Sequence, residues 1–233
     1  MNELELTDDE REKISSLAHA QIKEPEGRVG LKYLINRGIS KQSIIDWELG
    51  YCPPEAPLYR YSNKIVIPYR DVYGEKIALA TRKLKNEKPV WWNESFDKGY
   101  HLFGLNKAKK EIYKKNLAIL VEGYFDVISL HQYGIKIAVG SCSGASQFEQ
   151  WSLLSRYCDR VVVMFDRDEN MSGQKGIKKA FQDFKGNPIR IYPCYLPMKT
   201  DPDEFVRKNG KKKMIALVKK AVQKKKDMGG SFY

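Results

Sequence analysis

The chain has little of what zinc sites, disulfide frameworks and membrane anchors are made from. It holds four cysteines and three histidines in 233 residues. Cys52, Cys142, Cys158 and Cys194 form no Cys-x-x-Cys pair, and no Cys/His cluster has zinc spacing, so no zinc is expected in this chain. Wide cysteine spacing in a chain of this length predicts free thiols rather than a disulfide framework. Apolar runs such as Leu117–Val121 and Val161–Phe165 are far too short to span a membrane. The acidic start has no apolar stretch of signal-peptide type. A cytoplasmic protein without a membrane partner is expected, in a bacterial cell or a phage-infected host.

What the chain has is positive charge. The formal net charge is +12 and the pI is about 9.4, which favours a polyanionic partner such as nucleic acid. The charge is unevenly placed. Residues 1–30 are rich in acids, whereas Arg207 to Lys226 holds ten Lys or Arg and no acid.

Local signals divide the chain softly near residue 115. Before it, Thr7 with Glu10 predicts a capped helix within residues 1–24. A further helix over Leu31–Arg37 stops at Gly38, and Ser40 caps a short one running to Trp47. Lys64–Tyr69 and Lys76–Arg82 flank Asp71–Gly74 as a hairpin. Lys85–Tyr100 reads as irregular. After residue 115, Leu117–Val121, Lys136–Gly140, Val161–Phe165 and Ile189–Leu196 are strand-like. They alternate with helical stretches at Phe125–Tyr133, Gln147–Tyr157 and Ser172–Phe184. That alternation predicts an α/β unit, a mostly parallel sheet flanked by helices. Met214, Leu217, Val218, Ala221 and Val222 give the basic tail an amphipathic helical period.

In open α/β sheets, ligands bind at the carboxyl ends of the strands. Glu122 directly follows one buried strand, and Asp126 comes four residues later. Asp166 directly follows another, with Asp168 two residues on. Clustered carboxylates repel one another unless a cation neutralises them. Hard oxygen ligands without His or Cys suit magnesium or manganese. Such a set predicts metal-dependent phosphoryl chemistry.

These motifs carry a resemblance. Leu120-Val-Glu-Gly-Tyr-Phe-Asp126 with Val162–Asp168 resembles a Toprim domain, shared by bacterial-type primases, topoisomerases and some nucleases. Asp201-Pro-Asp-Glu-Phe-Val-Arg-Lys-Asn-Gly210 resembles the segment that follows that domain in DnaG-type primases. Upstream, Tyr33–Ser40, Leu49–Pro53, Ile67–Asp71 with Gly74 and Arg82, Phe96–Gly99 and Leu102–Leu105 resemble the start of the primase catalytic core. The resemblance covers roughly residues 28–210 with the motifs in order.

It implies an N-terminal α+β subdomain over 1–115, a Toprim domain over 116–200 and a C-terminal helical segment over 201–233. It also implies a nucleotidyltransferase that makes short RNA primers on single-stranded DNA from NTPs. Glu122, Asp166 and Asp168 would hold two or more Mg2+ or Mn2+ ions, with Asp126 beside them in catalysis. Arg37, Arg82, Lys83 and Lys98 would contact template or nucleotide.

The sequence departs from the family in places. Glu169-Asn-Met-Ser172 intervenes before Gly173, Ser141-Cys-Ser-Gly144 replaces a Gly-Thr turn, and Val90 stands where a lysine is expected. Trp91 and Trp92 would either stack on bases or join the core. The zinc ribbon and helicase-binding domain of such primases find no counterpart here. The expectation is a core piece, or a small primase whose zinc-ribbon and helicase partners act in trans. A Toprim-type nuclease and a non-catalytic nucleic-acid-binding scaffold are the competing readings.

Overall fold

The computed structural model describes residues 6–54, 60–85, 87–142, 147–164 and 189–227. The chain divides into two compact units, Met1–Phe96 and Asp97–Tyr233.

In the first unit, helix α1 (Asp8–Gln21) begins where the capping signal predicts. The Glu10 carboxylate accepts the Thr7 backbone N–H at 2.8 Å, and the Thr7 hydroxyl accepts that of Glu10 at 3.3 Å. Ile14 and Ala18, one turn apart, are buried against Cys52, Tyr61, Val66 and Leu79. Helix α2 (Arg28–Asn36) ends at Gly38, whose φ of +87° supplies the left-handed turn. Helix α3 (Lys41–Asp46) is capped by the Ser40 hydroxyl, as expected.

Strands β1 (Gly50–Cys52), β2 (Lys64–Arg70), β3 (Lys76–Lys83) and β4 (Trp91–Asn93) form an antiparallel sheet in that order. The expected hairpin is β2–β3. Its turn is built by Asp71, whose Oδ1 accepts the N–H groups of Tyr73, Gly74 and Glu75 at 2.8–2.9 Å. Arg70 closes it by donating to the Gly74 carbonyl and to Glu48. The Pro-Tyr-Arg-Asp motif is thus turn architecture. The stretch read as irregular contains β4, and Glu94 just after it is buried. The Glu94 carboxylate accepts from Arg11 Nε at 3.2 Å and from the Leu79 N–H, tying α1 to β3.

In the second unit, a 3-10 turn (Lys98–Tyr100) leads into helix α4 (Leu105–Lys115). Then follow β5 (Ala118–Val121), α5 (Tyr124–Gln132), β6 (Ala138–Gly140), α6 (Phe148–Ser155), β7 (Arg160–Val163), β8 (Arg190–Pro193) and α7 (Pro202–Asp227). The four strands described in this second sheet pair in parallel, in the order β6-β5-β7-β8. The all-apolar β5 is buried at every position, as a central parallel strand covered on both faces must be. The helix expected over Ser172–Phe184 lies outside the described residues.

Helix α4 was not anticipated, although Leu105, Ala108 and Ile112 are buried at helical spacing. Residues 97–115, read from the sequence with the N-terminal region, group with the second unit. Phe103 exchanges both backbone hydrogen bonds with Gly140 at the end of β6. The basic tail forms α7. It runs from Pro202 and breaks at Gly210, where φ is 75° and ψ is 172°.

Candidate active site

Among the described residues, the carboxyl edge of the parallel sheet carries Glu122 and, beside it, the Lys98 turn. Glu122 is half-buried and directly follows β5, one of the two internal strands of the sheet. Its backbone carbonyl accepts the Cys142 N–H at 3.0 Å, and Ser141 N–H bonds the Val121 carbonyl at 3.0 Å. The turn after β6 is thereby sewn to the tip of β5. On the other side, Met164 N–H bonds the Leu120 carbonyl at 2.9 Å, so the chain leaves β7 level with that same tip. Asp166 and Asp168 lie outside the described residues.

Asp126 is 7% exposed and its two oxygens are engaged by backbone. Oδ2 accepts the Gly123 N–H at 2.9 Å, and Oδ1 accepts the Asp203 N–H at 3.1 Å. The first bond secures the entry to α5 in the manner of a capping box. It also explains the glycine of the Glu-Gly-x-x-Asp motif. A Cβ on Gly123 would sit 2.6 Å from Asp126 Oδ2. The second bond ties α5 to the start of α7.

The Asp-Pro-Asp motif divides its tasks. Asp201 caps α7, its Oδ1 accepting the Glu204 N–H at 2.6 Å. Asp203 is fully buried; its carboxylate accepts Ser129 Oγ at 2.6 Å and Arg207 Nε at 2.8 Å. Buried Asp126, Ser129 and Asp203, with half-buried Arg207, form one polar network that fixes α5, and with it Glu122, against α7.

Sequence reasoning missed two residues here. Gln150 is 1% exposed, and its amide nitrogen lies 3.0, 2.9 and 3.1 Å from the carbonyl oxygens of Lys98, His101 and Ser141. It anchors the Lys98 turn to the sheet edge by sharing two N–H donors among three acceptors. The Gln147-x-x-Gln150 spacing at the start of α6 was the available signal. Cys142 is the other, in a left-handed conformation (φ 49°) beside Lys98, Tyr124 and Asp126. Burial pushes its thiol well above the ordinary range; Lys98 opposes this and Asp126 adds to it. Lys98 is itself half-buried. Burial lowers its pKa, and Cys142 works in the opposite direction. A partly desolvated ammonium is a strong binder of phosphate.

Arg37, Arg82 and Lys83 belong to the first unit. Arg37 is half-buried at the C-terminus of α2. Arg82 on β3 lies between two rings: its guanidinium carbon is 5.8 Å from the Tyr33 ring centre and 5.1 Å from that of Trp91. Its Nε also donates to the Tyr33 hydroxyl. Lys83 pairs in register with Lys64, whose pKa is lowered by burial and then by Lys83. The two tryptophans part company. Trp92 packs on the α1 core and meets Tyr61 edge-on at 5.5 Å, while Trp91 stacks with Arg82.

Among the described residues no group of three or more His, Cys, Asp or Glu is arranged to hold a metal ion. Glu122 supplies one hard oxygen donor at the strand tip, the donor type a magnesium or manganese ion takes. No helix among the described residues is long and apolar enough to cross a membrane.

A parallel sheet with an acidic strand tip, followed by Gly-x-x-Asp, defines a Toprim-type α/β domain. Residues 119–206 match the family described as Toprim-like.

The full chain goes further. It is 36% identical over 196 residues to the DNA primase of Clostridium acetobutylicum, covering 82% of this chain and 32% of that protein. It is 31% identical to the DNA primase of Aquifex aeolicus, covering 83% of this chain and 45% of the relative. The solved DnaG catalytic core superposes with a TM-score of 0.80 at 25% identity, over 90% of this chain and 78% of that one. The zinc-binding and RNA polymerase domains of the Aquifex aeolicus primase give 0.77 at 28% identity, over 92% and 62% of the two chains. The chain belongs to the DnaG-type primases, and the part it matches is their catalytic core. It spans less than half the length of these curated relatives. Membership of the Toprim primases implies use of divalent metal ions.

Proposed function

We propose that this chain is a primase core that makes short RNA primers on single-stranded DNA by metal-dependent transfer of nucleotides from NTPs. The observation that carries this reading is Glu122 at the tip of β5, an internal parallel strand, with the Lys98 turn anchored to the same edge. Asp166 follows Met164 by two residues, and two residues span at most about 7 Å of chain. Glu122, Asp166 and Asp168 would hold two or more Mg2+ or Mn2+ ions. Bound there, such ions stabilise the attacking and leaving oxygens of an in-line displacement at phosphorus.

The chain's own residues do the rest. Glu122 presents its carboxylate from a rigid strand end. Asp126 serves by holding Gly123 and α7 in place, which orients Glu122. Lys98 binds phosphate from the sheet edge. Arg37, Arg82 and Lys83 contact template or nucleotide phosphates, with positioning and charge neutralisation as their contribution. The superposition on a DnaG primase catalytic domain bound to single-stranded DNA, with a TM-score of 0.80, supports the choice of template. The reading places the protein in the cytoplasm, with zinc-ribbon and helicase modules supplied by other chains or by further sequence.

The test is a primer-synthesis assay with single-stranded DNA, NTPs and Mg2+ or Mn2+. Ribonucleotide products that require both template and metal are expected. Shortened DNA instead would assign a Toprim nuclease, and DNA binding without any product would assign a scaffold.

A further inference from the structure

Helix α7 changes character at Gly210. Before the break its side chains are spoken for: Arg207 pairs with buried Asp203, and Lys208 reaches Glu204. Beyond it, Met214 and Val218 are buried and hold the segment to the unit. Lys212, Lys213, Lys219 and Lys220 are all exposed. Among the described residues none of the four has an ion pair, and only Lys213 has a side-chain partner, Asn209 at 3.5 Å.

Their spacing is i, i+1, i+7 and i+8. At 100° per residue, Lys212 and Lys219 fall within about 20° of each other around the axis, and so do Lys213 and Lys220. Each pair spans about 10.5 Å along the helix. Exposed Ala216 lies between the two pairs, opposite buried Met214 and Val218. The result is a rectangle of four ammonium groups around a small side chain.

A solvated helix face usually interleaves Glu with Lys, because like charges on neighbouring turns repel and opposite charges stabilise. From Arg207 to Lys226 there is no acid. A face without carboxylates of its own lacks the ordinary intrahelical pairs, and an external polyanion would supply them.

We propose that Lys212, Lys213, Lys219 and Lys220 form a docking face for the phosphate backbone of single-stranded DNA. This rests on reading the chain as a nucleic-acid enzyme and adds to it a surface apart from the carboxylates. Lysine is suited to the task as a compact charge that tracks phosphates without reading sequence.

The test uses the full chain, a fluorescent oligodeoxythymidine and no NTP or metal, so that it reads binding alone. Anisotropy gives Kd across a salt series. The variant K212Q/K213Q/K219Q/K220Q should weaken binding by about tenfold or more near 100 mM salt. It should lower the slope of log Kd against log salt by up to about 3, at roughly 0.7 per phosphate contact. The matching arginine variant should keep both. The comparison variant K107Q/K110Q/K114Q/K115Q removes four exposed charges from α4 and should move the slope by less.

An unchanged slope in the α7 variant overturns the proposal. So does an equal effect of the α4 variant, which would reduce the result to net charge. Lysine-dependent binding to phosphatidylserine vesicles with unaltered DNA binding would overturn it in favour of a membrane surface. Failure of primer synthesis with this lysine-dependent slope intact would sink the primase reading and leave the docking face standing.

Discussion

The carboxylate of Asp126 accepts the backbone N–H of Asp203 at 3.1 Å, joining positions 77 residues apart in the chain. With the second oxygen on Gly123, this makes Asp126 a brace between α5 and α7. Asp126→Ala strands two N–H groups and should destabilise the protein by about 1–3 kcal/mol for each. Asp126→Asn keeps one acceptor and should fall between. Urea unfolding checks both. An alanine variant with unaltered stability and no activity would instead make this carboxylate a direct metal ligand.

Glu122 should behave in the opposite way. Glu122→Gln is expected to abolish primer synthesis while changing unfolding free energy by no more than about 0.5 kcal/mol. Synthesis at the wild-type rate would remove Glu122 from the site.

The Arg11–Glu94 pair offers a test of the first unit. Both residues are 9% exposed, and Glu94 also takes the Leu79 N–H. Breaking a buried pair from one side leaves a charge without its partner, so Arg11→Met should cost about 3–5 kcal/mol. The double variant Arg11→Met/Glu94→Gln should cost less than the two single changes together. Strict additivity in guanidinium unfolding would show that the two groups are not coupled.

His131 predicts a pH dependence. It is 2% exposed on α5, and its Nε2–H donates to the Ala138 carbonyl at 2.9 Å. Burial lowers its pKa from the ordinary 6.5 to about 4. The folded protein thus holds a neutral ring that the unfolded chain protonates below pH 6.5. Its contribution is fully present above that pH and is lost as pH falls toward 4, on the order of 3 kcal/mol over the window. Denaturation midpoints from pH 7 to 4.5 should fall more steeply in the wild type than in His131→Gln. A ring titration near 6.5 by NMR would remove this explanation.

Much of this was legible in the sequence because it is local. The Thr7 capping box, the Ser40 cap, the Gly38 stop and the buried β5 run each follow from a few adjacent residues. What escaped depends on distant partners. The spacing of Glu122 and Asp126 marked two carboxylates on one edge but not that Asp203 would occupy one of them. Gln150 reads as an ordinary helical glutamine until three carbonyls converge on it. Helix α4 was hidden because five lysines dilute an apolar stripe only three residues wide. Trp91 and Trp92 are neighbours in sequence, and strand alternation sends them to opposite faces, one to the core and one to Arg82.

Gly210 separates two regimes of sequence constraint. Its backbone conformation is open to glycine and little else, and a Cβ there would touch nothing within 4 Å. On one side, Asp126, Ser129, Asp203 and Arg207 are mutually satisfied donors and acceptors, so a change at one demands a change at another. On the other, each lysine contributes its charge on its own. Replacing one lysine there should therefore leave its neighbours undisturbed, while replacing one of the braced carboxylates upstream should unsettle its partners as well.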